Sequence, residues 1–414
     1  MHQVEGELVV FCQIRVLTPS LLLPSITVSM ASTASVPGTY RGLVLSSFDA
    51  PLQVKDLPFP TATTGSAVVQ VLSSPVLAYS SKLYSGALAY PLALPLTIGG
   101  GAIGRVVAVG NDATTVAPGK LVLLDPTVRG RDEPGSQILL GVHGGLDAGS
   151  RKLMDGEWRN GAYAEYVRVP LENVHGLNED VLCRELGYTV HDLAYLLRLL
   201  VPTGGLVELD VRTGEKVIVA PATGQFGGAA VEVARAMGAD VLVCGRNVDA
   251  LHQMKDTLTR NAAAGAGDIA IVKLTGNVAG DAEEIKRLAG GGADKYLDFS
   301  PAAAAKSTHL ASSLLALRKG GAACFMGGIP GTVEIPYGLL MFNDLKVHGK
   351  FMYGRDAITR LIRLVETGRL PLGEKGGIRV VGKYGLDEWK DAFDAAEKEA
   401  GWGVLVVIEP GKGK

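Results

Sequence analysis

The stretch Val217–Asn247, VIVAPATGQFGGAAVEVARAMGADVLVCGRN, carries the reading of the fold. An apolar run, VIVA, stops at a turn of small residues. A segment with helical character, GGAAVEVARAMG, follows, and a second apolar run, DVLVCG, closes the stretch. Strands that are apolar throughout suit burial on both faces. Two of them joined through a helix make a right-handed crossover and imply a parallel sheet. The turn itself is Ala222-Thr223-Gly224-Gln225-Phe226-Gly227, followed by Gly228, which is G-x-G-x-x-G with alanine in the first place. Small residues there let backbone approach a pyrophosphate. Amides at the start of the next helix, and the helix dipole, favour its negative charge. A strand before and a helix after supply the context the pattern requires.

The end of the second strand selects the cofactor. A carboxylate at that point would accept a hydrogen bond from a ribose 2′-hydroxyl. Gly245 stands there instead, with Arg246 and Asn247 next. Glycine leaves room for a 2′-phosphate and a guanidinium can bind it bidentately. The expected cofactor is therefore NADP(H), held by Ala222, Thr223, Gly224, Gln225, Phe226, Gly227, Gly245, Arg246 and Asn247. Gly327 and Gly328, in CFMGGIPG, are expected to let the nicotinamide ring lie against backbone.

Working outward, the same alternation continues from about Leu193. DIAIVKL, DKYLDFS and GAACFMGG read as strands. NVDALHQMKDTLTR, DAEEIKRLAG and AAAAKSTHLASSLLALRKG read as helices. Residues 40–183 have a different rhythm, with short β-type runs such as SAVVQVLSS, GRVVAVG, GKLVLLDP and AYAEYVRVP between Gly and Pro turns. TVRGRDEPGSQILLGVHGGLDAGS, within that region, reads as a long irregular surface lobe. After Asn343 the segments LKVHGKFM, DAITRLIRLVETG and WGVLVVIEP are expected to return to the first domain. The fold class is α/β. A β-rich domain over 37–184, completed by 346–414, precedes a doubly wound parallel-sheet domain over 185–345. Residues 1–36 read as a poorly ordered extension, with Met30 resembling an alternative start.

Of the 414 residues, 47% are hydrophobic, and the formal net charge is −2, which describes a globular chain with no basic footprint for nucleic acid. The four cysteines, Cys12, Cys183, Cys244 and Cys324, are far apart and form neither a disulfide framework nor a metal-type spacing. A reducing, cytoplasmic setting is the expectation. No uninterrupted apolar run reaches the ~20 residues that span a bilayer, so no membrane partner is expected.

The glycine turn, together with IGGGAIGRVVAVG, VAPGKLV and GAYAEYVRVP, resembles the medium-chain dehydrogenase/reductase superfamily over residues 40–410. The run DPTVRGRDEP…GAYAEYVRVPLENV is similar to a fungal-type subgroup related to quinone oxidoreductases and alcohol dehydrogenases. The resemblance implies a GroES-like β-rich domain, a Rossmann domain, a cleft between them for a small-molecule substrate, and a homodimer. Zinc-dependent members carry a cysteine, a Gly-His-Glu motif and a second cysteine. Gly99-Gly100-Gly101 replaces the motif here, and PVLAYSSKLYSG and ELGYTVHD have no thiol where the cysteines fall. Residues 125–155 lack the cysteines of the structural-zinc lobe. No metal ligand set is expected, since a catalytic zinc site needs three protein ligands.

Without a metal Lewis acid, the favoured substrates already accept hydride well: activated C=C bonds, quinones or carbonyls. A proton donor is then required. The resemblance places Tyr79 in the segment of the first missing ligand and Tyr188 near the second, and a phenol can donate to a developing oxyanion. His191 beside Asp192 could relay protons, or the two could be a helix start with a capping aspartate. The functions expected are a zinc-independent NADPH-dependent oxidoreductase, a metal-free NADP-linked alcohol dehydrogenase, or a non-catalytic NADPH-binding protein.

Overall fold

The structure, a computed structural model, describes residues 38–413. The expected extension over 1–36, with Met30, lies outside the described residues.

Six strands form one parallel sheet: Lys216–Ala220, Asp240–Gly245, Ile269–Lys273, Ala293–Asp298, Leu317–Phe325 and Lys346–Gly349. Numbered along the chain, they stand side by side in the order 3-2-1-4-5-6, and every pairing is parallel. This is the doubly wound Rossmann order, which reverses direction beside the strand Lys216–Ala220. Successive side chains of a strand point to opposite faces. Val217, Val219, Val241 and Val243 accordingly pack in one core with Val231, Ala234 and Leu199, while Ile218, Ala220, Leu242 and Cys244 pack in another with Ile285 and Leu314. Both faces are filled, which is why these strands carry no polar alternation.

The β-rich domain centres on Ser66–Pro75, which pairs antiparallel with Ala102–Val109 and Tyr166–Pro170. The far end of the chain completes its sheet. Val404–Ile408 pairs antiparallel with Ser66–Pro75, and Arg379–Tyr384 runs parallel to Val404–Ile408. A GroES-like domain and a Rossmann domain are thus the two parts of the molecule.

Three expectations need correction. Lys346–Gly349 does not return to the first domain but pairs with Leu317–Phe325 as the sixth Rossmann strand. The helix Arg355–Glu366 likewise packs on Leu196–Glu208, its Ile358 and Leu361 joining the core that holds Leu199. A run as short as LKVHG carries no local signal of which sheet will accept its backbone. The supposed irregular lobe contains a hairpin, Thr127–Arg129 with Gln137–Leu139, and a helix, Ala148–Asp155, capped by the Asp147 side chain on the Ser150 amide at 2.9 Å. The helix expected over residues 302–320 is confined to His309–Leu315, and Leu317–Gly320 is already strand. Pairing with Ala293–Asp298 overrides the helical propensity of that segment.

Val190–Glu208 has the length and apolarity of a membrane span, yet 67% of it is buried inside the fold. Core packing accounts for its composition.

Candidate functional site

The strand register brings the glycine turn and its partners to one edge of the sheet. Ala220 lies opposite Asp298, and Asp298 opposite Phe325, so the segments that follow these strands emerge together. Phe226 of the turn stacks on Phe299 at 6.2 Å between ring centroids. Ala222 is buried and its amide donates to the Cys244 carbonyl at 3.0 Å, tying the turn to the second strand.

Each small residue has a distinct reason. Gly224 precedes the helix Gln225–Ala236, and a Cβ added to it would meet nothing within 4 Å. The approach to the helix start is therefore open on that side. A Cβ on Gly227 would stand 2.1 Å from the Pro221 carbonyl oxygen, so only glycine fits. One on Gly228 would stand 2.2 Å from the Trp402 ring. At Gly245 an added Cβ would meet Leu251 at 3.5 Å and Thr223 at 3.6 Å, ordinary contacts, so glycine is not sterically required there. Arg246 is exposed and has no ion-pair or hydrogen-bond partner among the described residues. The Asn247 side chain caps the helix Val248–Arg260, accepting from the Ala250 amide at 3.1 Å. Gly327 is crowded, its missing Cβ 2.5 Å from the Ser300 carbonyl oxygen, whereas Gly328 is open and its amide donates to that carbonyl at 2.8 Å.

Among the described residues no hydrogen bond links the three expected catalytic residues to one another. Tyr79 is half-buried, and burial raises its phenol, an effect that nearby Arg198 opposes. The Tyr188 hydroxyl accepts the Leu372 amide at 3.1 Å, which commits it to holding the segment after Arg355–Glu366. His191 is buried, with Nδ1 3.1 Å from Ser73 Oγ and Nε2 3.6 Å from Glu409 Oε2. Burial lowers its pKa, Lys383 adds to that, and Glu409 opposes it. Asp192 is the capping residue: it accepts from the Thr189 amide at 2.9 Å, and its own amide donates to Thr189 Oγ1 at 3.2 Å.

Packing explains two of the three glycines in place of Gly-His-Glu, whereas a Cβ on Gly100 would meet Val142 at 3.6 Å and Pro126 at 3.9 Å, ordinary contacts. Gly99 lies at φ +92°, and a Cβ there would stand 2.5 Å from the Tyr163 ring. One on Gly101 would stand 2.3 Å from the Leu124 carbonyl oxygen. Tyr84 locks the same loop, accepting from the Gly99 amide at 3.0 Å and donating to the Gly141 carbonyl at 3.1 Å. Among the described residues no group of three His, Cys, Asp or Glu side chains is placed to share a metal ion.

A buried polar group beside the turn was not foreseen. Glu232, on the helix Gln225–Ala236, accepts from the Tyr195 hydroxyl at 2.9 Å and from the Trp402 indole. Arg198 is buried nearby and donates to the Val404 carbonyl at 2.8 Å. Isolated charges inside the apolar runs, Glu232 and Arg235 in GGAAVEVARAMG and Arg198 in LAYLLRLLV, were the available signal. Burial pushes the Glu232 carboxyl up from 4.5 to about 8. Its proton is held in the folded chain and released in the unfolded one between those values. Stability from this group is thus full below pH 4.5 and declines as pH rises toward about 8. Glu232→Gln should remove that decline, worth ~1.4 kcal/mol per pH unit. Urea unfolding at a series of pH values checks it, and slopes that match the wild type would disprove it.

Comparisons with known proteins agree with the architecture. Residues 63–179 match the family model described as alcohol dehydrogenase GroES-like domain, and residues 226–367 match that described as zinc-binding dehydrogenase. An alcohol dehydrogenase of Cupriavidus necator is 23% identical, over 87% of this chain and 96% of its own. A protein of Sinorhizobium meliloti 1021 classed as a zinc-binding dehydrogenase, solved bound to NADP, superimposes with a TM-score of 0.68 at 20% identity, covering 90% of this chain and 100% of its own. A short chain alcohol dehydrogenase from E. coli CFT073, solved with NADH, superimposes with a TM-score of 0.68 at 16% identity, covering 90% and 100%. The two family models lie in tandem on the two domains seen in the structure, and over residues 63–179 and 226–367 the chain is similar to alcohol dehydrogenases and zinc-binding dehydrogenases.

Proposed function

We propose that this protein is an NADPH-dependent oxidoreductase that works without zinc and reduces an activated C=C bond, quinone or carbonyl of a small organic molecule. The observation that carries the reading is the strand end Gly245-Arg246, with an exposed guanidinium that has no partner among the described residues, following the glycine turn in the chain. The residues fit a nicotinamide nucleotide. Gly224 puts no side chain at the start of a twelve-residue helix, whose first amides suit a pyrophosphate, and Arg246 is free to meet a 2′-phosphate. When bound, that cofactor supplies the hydride. The residues do not fit the zinc that the family-model description names, because Gly100 and Gly101 carry no side chain where the motif has its histidine and glutamate, and a Cβ at 101 would collide with the Leu124 carbonyl.

The chain's own work is positioning and proton supply. Gly327 and Gly328 present backbone rather than side chains at the sheet edge. Of the three expected donors, Tyr79 fits best, since the Tyr188 hydroxyl is buried against Leu372, whose amide it accepts, and His191 is engaged by Ser73 and Glu409. Burial keeps the Tyr79 phenol protonated, as a donor to a developing oxyanion must be.

Chelator-treated protein is expected to keep its full rate of NADPH oxidation with a quinone or an enone. Stoichiometric zinc by elemental analysis, or a rate lost on chelation and restored by zinc, would overturn the proposal. The alcohol dehydrogenase relative favours a second reading, a metal-free NADP-linked alcohol dehydrogenase. Oxidation of a primary alcohol, with no reduction of quinone or enone, would select it.

A further inference from the structure

The segment Glu399–Gly403 links the helix Trp389–Lys398 to the strand Val404–Ile408 and runs across the glycine turn. Gly401 forms an antiparallel backbone bridge with Gly224. The Trp402 amide donates to the Thr223 carbonyl at 3.2 Å, and Gln225 Nε2 donates to the Glu399 carbonyl at 3.5 Å. These contacts hold the segment against the residues that open the helix Gln225–Ala236.

Trp402 fastens the segment from behind. Its ring fills the space above Gly228, and its indole N–H donates to the buried Glu232. The Gly403 carbonyl accepts the Arg379 amide at 3.0 Å, which fixes the strand side of the segment. A Cβ on Gly401 would meet nothing within 4 Å, and Gly403 sits at φ +90°, a conformation that glycine adopts freely. The segment also walls a cleft of about 380 Å³, together with Thr223, the helix residues Ala250, Gln253 and Thr257, and Arg379. A short strap with a glycine on each side of one anchored tryptophan can leave the turn without unfolding its neighbours.

We propose that Glu399–Gly403 is a gate on the nucleotide site. It is latched to the turn, swings on Gly401 and Gly403 to admit the dinucleotide, and opens as readily as the Trp402–Glu232 bond allows. The inference rests on the nucleotide reading above. Trp402 and Glu232 act here as positioning residues, through the strap.

Stopped-flow mixing with NADPH, followed by the nucleotide's own fluorescence, tests the gate. In the wild type the observed association rate should level off at high NADPH, limited by opening. Trp402→Phe keeps a ring and loses the N–H, and should raise that plateau about tenfold, as loss of one hydrogen bond to a buried carboxyl implies. Glu232→Leu, which removes the acceptor for Trp402 together with that for the Tyr195 hydroxyl, should do the same, and it serves if Trp402→Phe does not fold. Glu232→Gln, which retains an acceptor oxygen, should keep the wild-type plateau. Association that rises linearly with NADPH, with equal slopes in wild type and both disrupting variants, would overturn the gate and leave the nucleotide reading intact. Absence of any NADPH or NADH binding by calorimetry would overturn both.

Discussion

Gly227→Ala should destroy nucleotide binding and lower the melting temperature together. The added methyl would stand 2.1 Å from the Pro221 carbonyl oxygen. That atom is backbone and cannot rotate aside as a side chain could, so the turn or the helix must shift. Overpacking in a close-packed interior costs typically ~1–3 kcal/mol, and the helix start loses its aim at the phosphate as well. We expect the affinity for NADPH to fall more than about a hundredfold, as loss of a charge-assisted hydrogen bond or two implies. Gly224→Ala is the companion variant. Its methyl meets no neighbour within 4 Å and its φ is −77°, so it should melt like the wild type. Thermal unfolding and calorimetric titration of both variants check the pair. A Gly227→Ala protein that bound NADPH normally would show that the tight turn is packing alone.

Arg246→Ala should weaken NADPH by ten- to a hundredfold and leave NADH nearly unchanged. A guanidinium on a phosphate is worth ~1.5–3 kcal/mol, and NADH has no phosphate at that ribose position. Arg246 is exposed and free of partners among the described residues, so its removal breaks no internal contact and should not lower stability. Gly245→Asp should act in the opposite sense. The position accepts a Cβ at ordinary contact distances, and a carboxylate there would repel the 2′-phosphate while accepting from a 2′-hydroxyl. The preference should therefore move toward NADH. Equal losses of both nucleotides in Arg246→Ala would remove the basis for NADPH preference.

The strands of the parallel sheet were readable because burial on both faces leaves runs such as VIVA and VLVC without polar interruption. The glycine turn was readable for a local reason: Gly227 faces a carbonyl six residues away in the chain. The catalytic trio was less so. Nothing in ELGYTVHD shows that the Tyr188 hydroxyl meets the Leu372 amide, 184 residues on. Asp192 is different, since Thr189 and Asp192 form a capping box within one turn, and that alternative was visible in the sequence.

The sequence by itself determined the two-domain α/β architecture, the phosphate-type turn and the arginine at the second strand end. These follow from residue periodicity and from steric limits that act within a few residues. Only the tertiary structure decided that Lys346–Gly349 joins the parallel sheet, that Tyr163 fills the space at Gly99, and that Trp402 reaches Glu232 across 170 residues of chain. Such pairings depend on which surfaces meet when the chain packs, and a local pattern does not encode the identity of a distant partner.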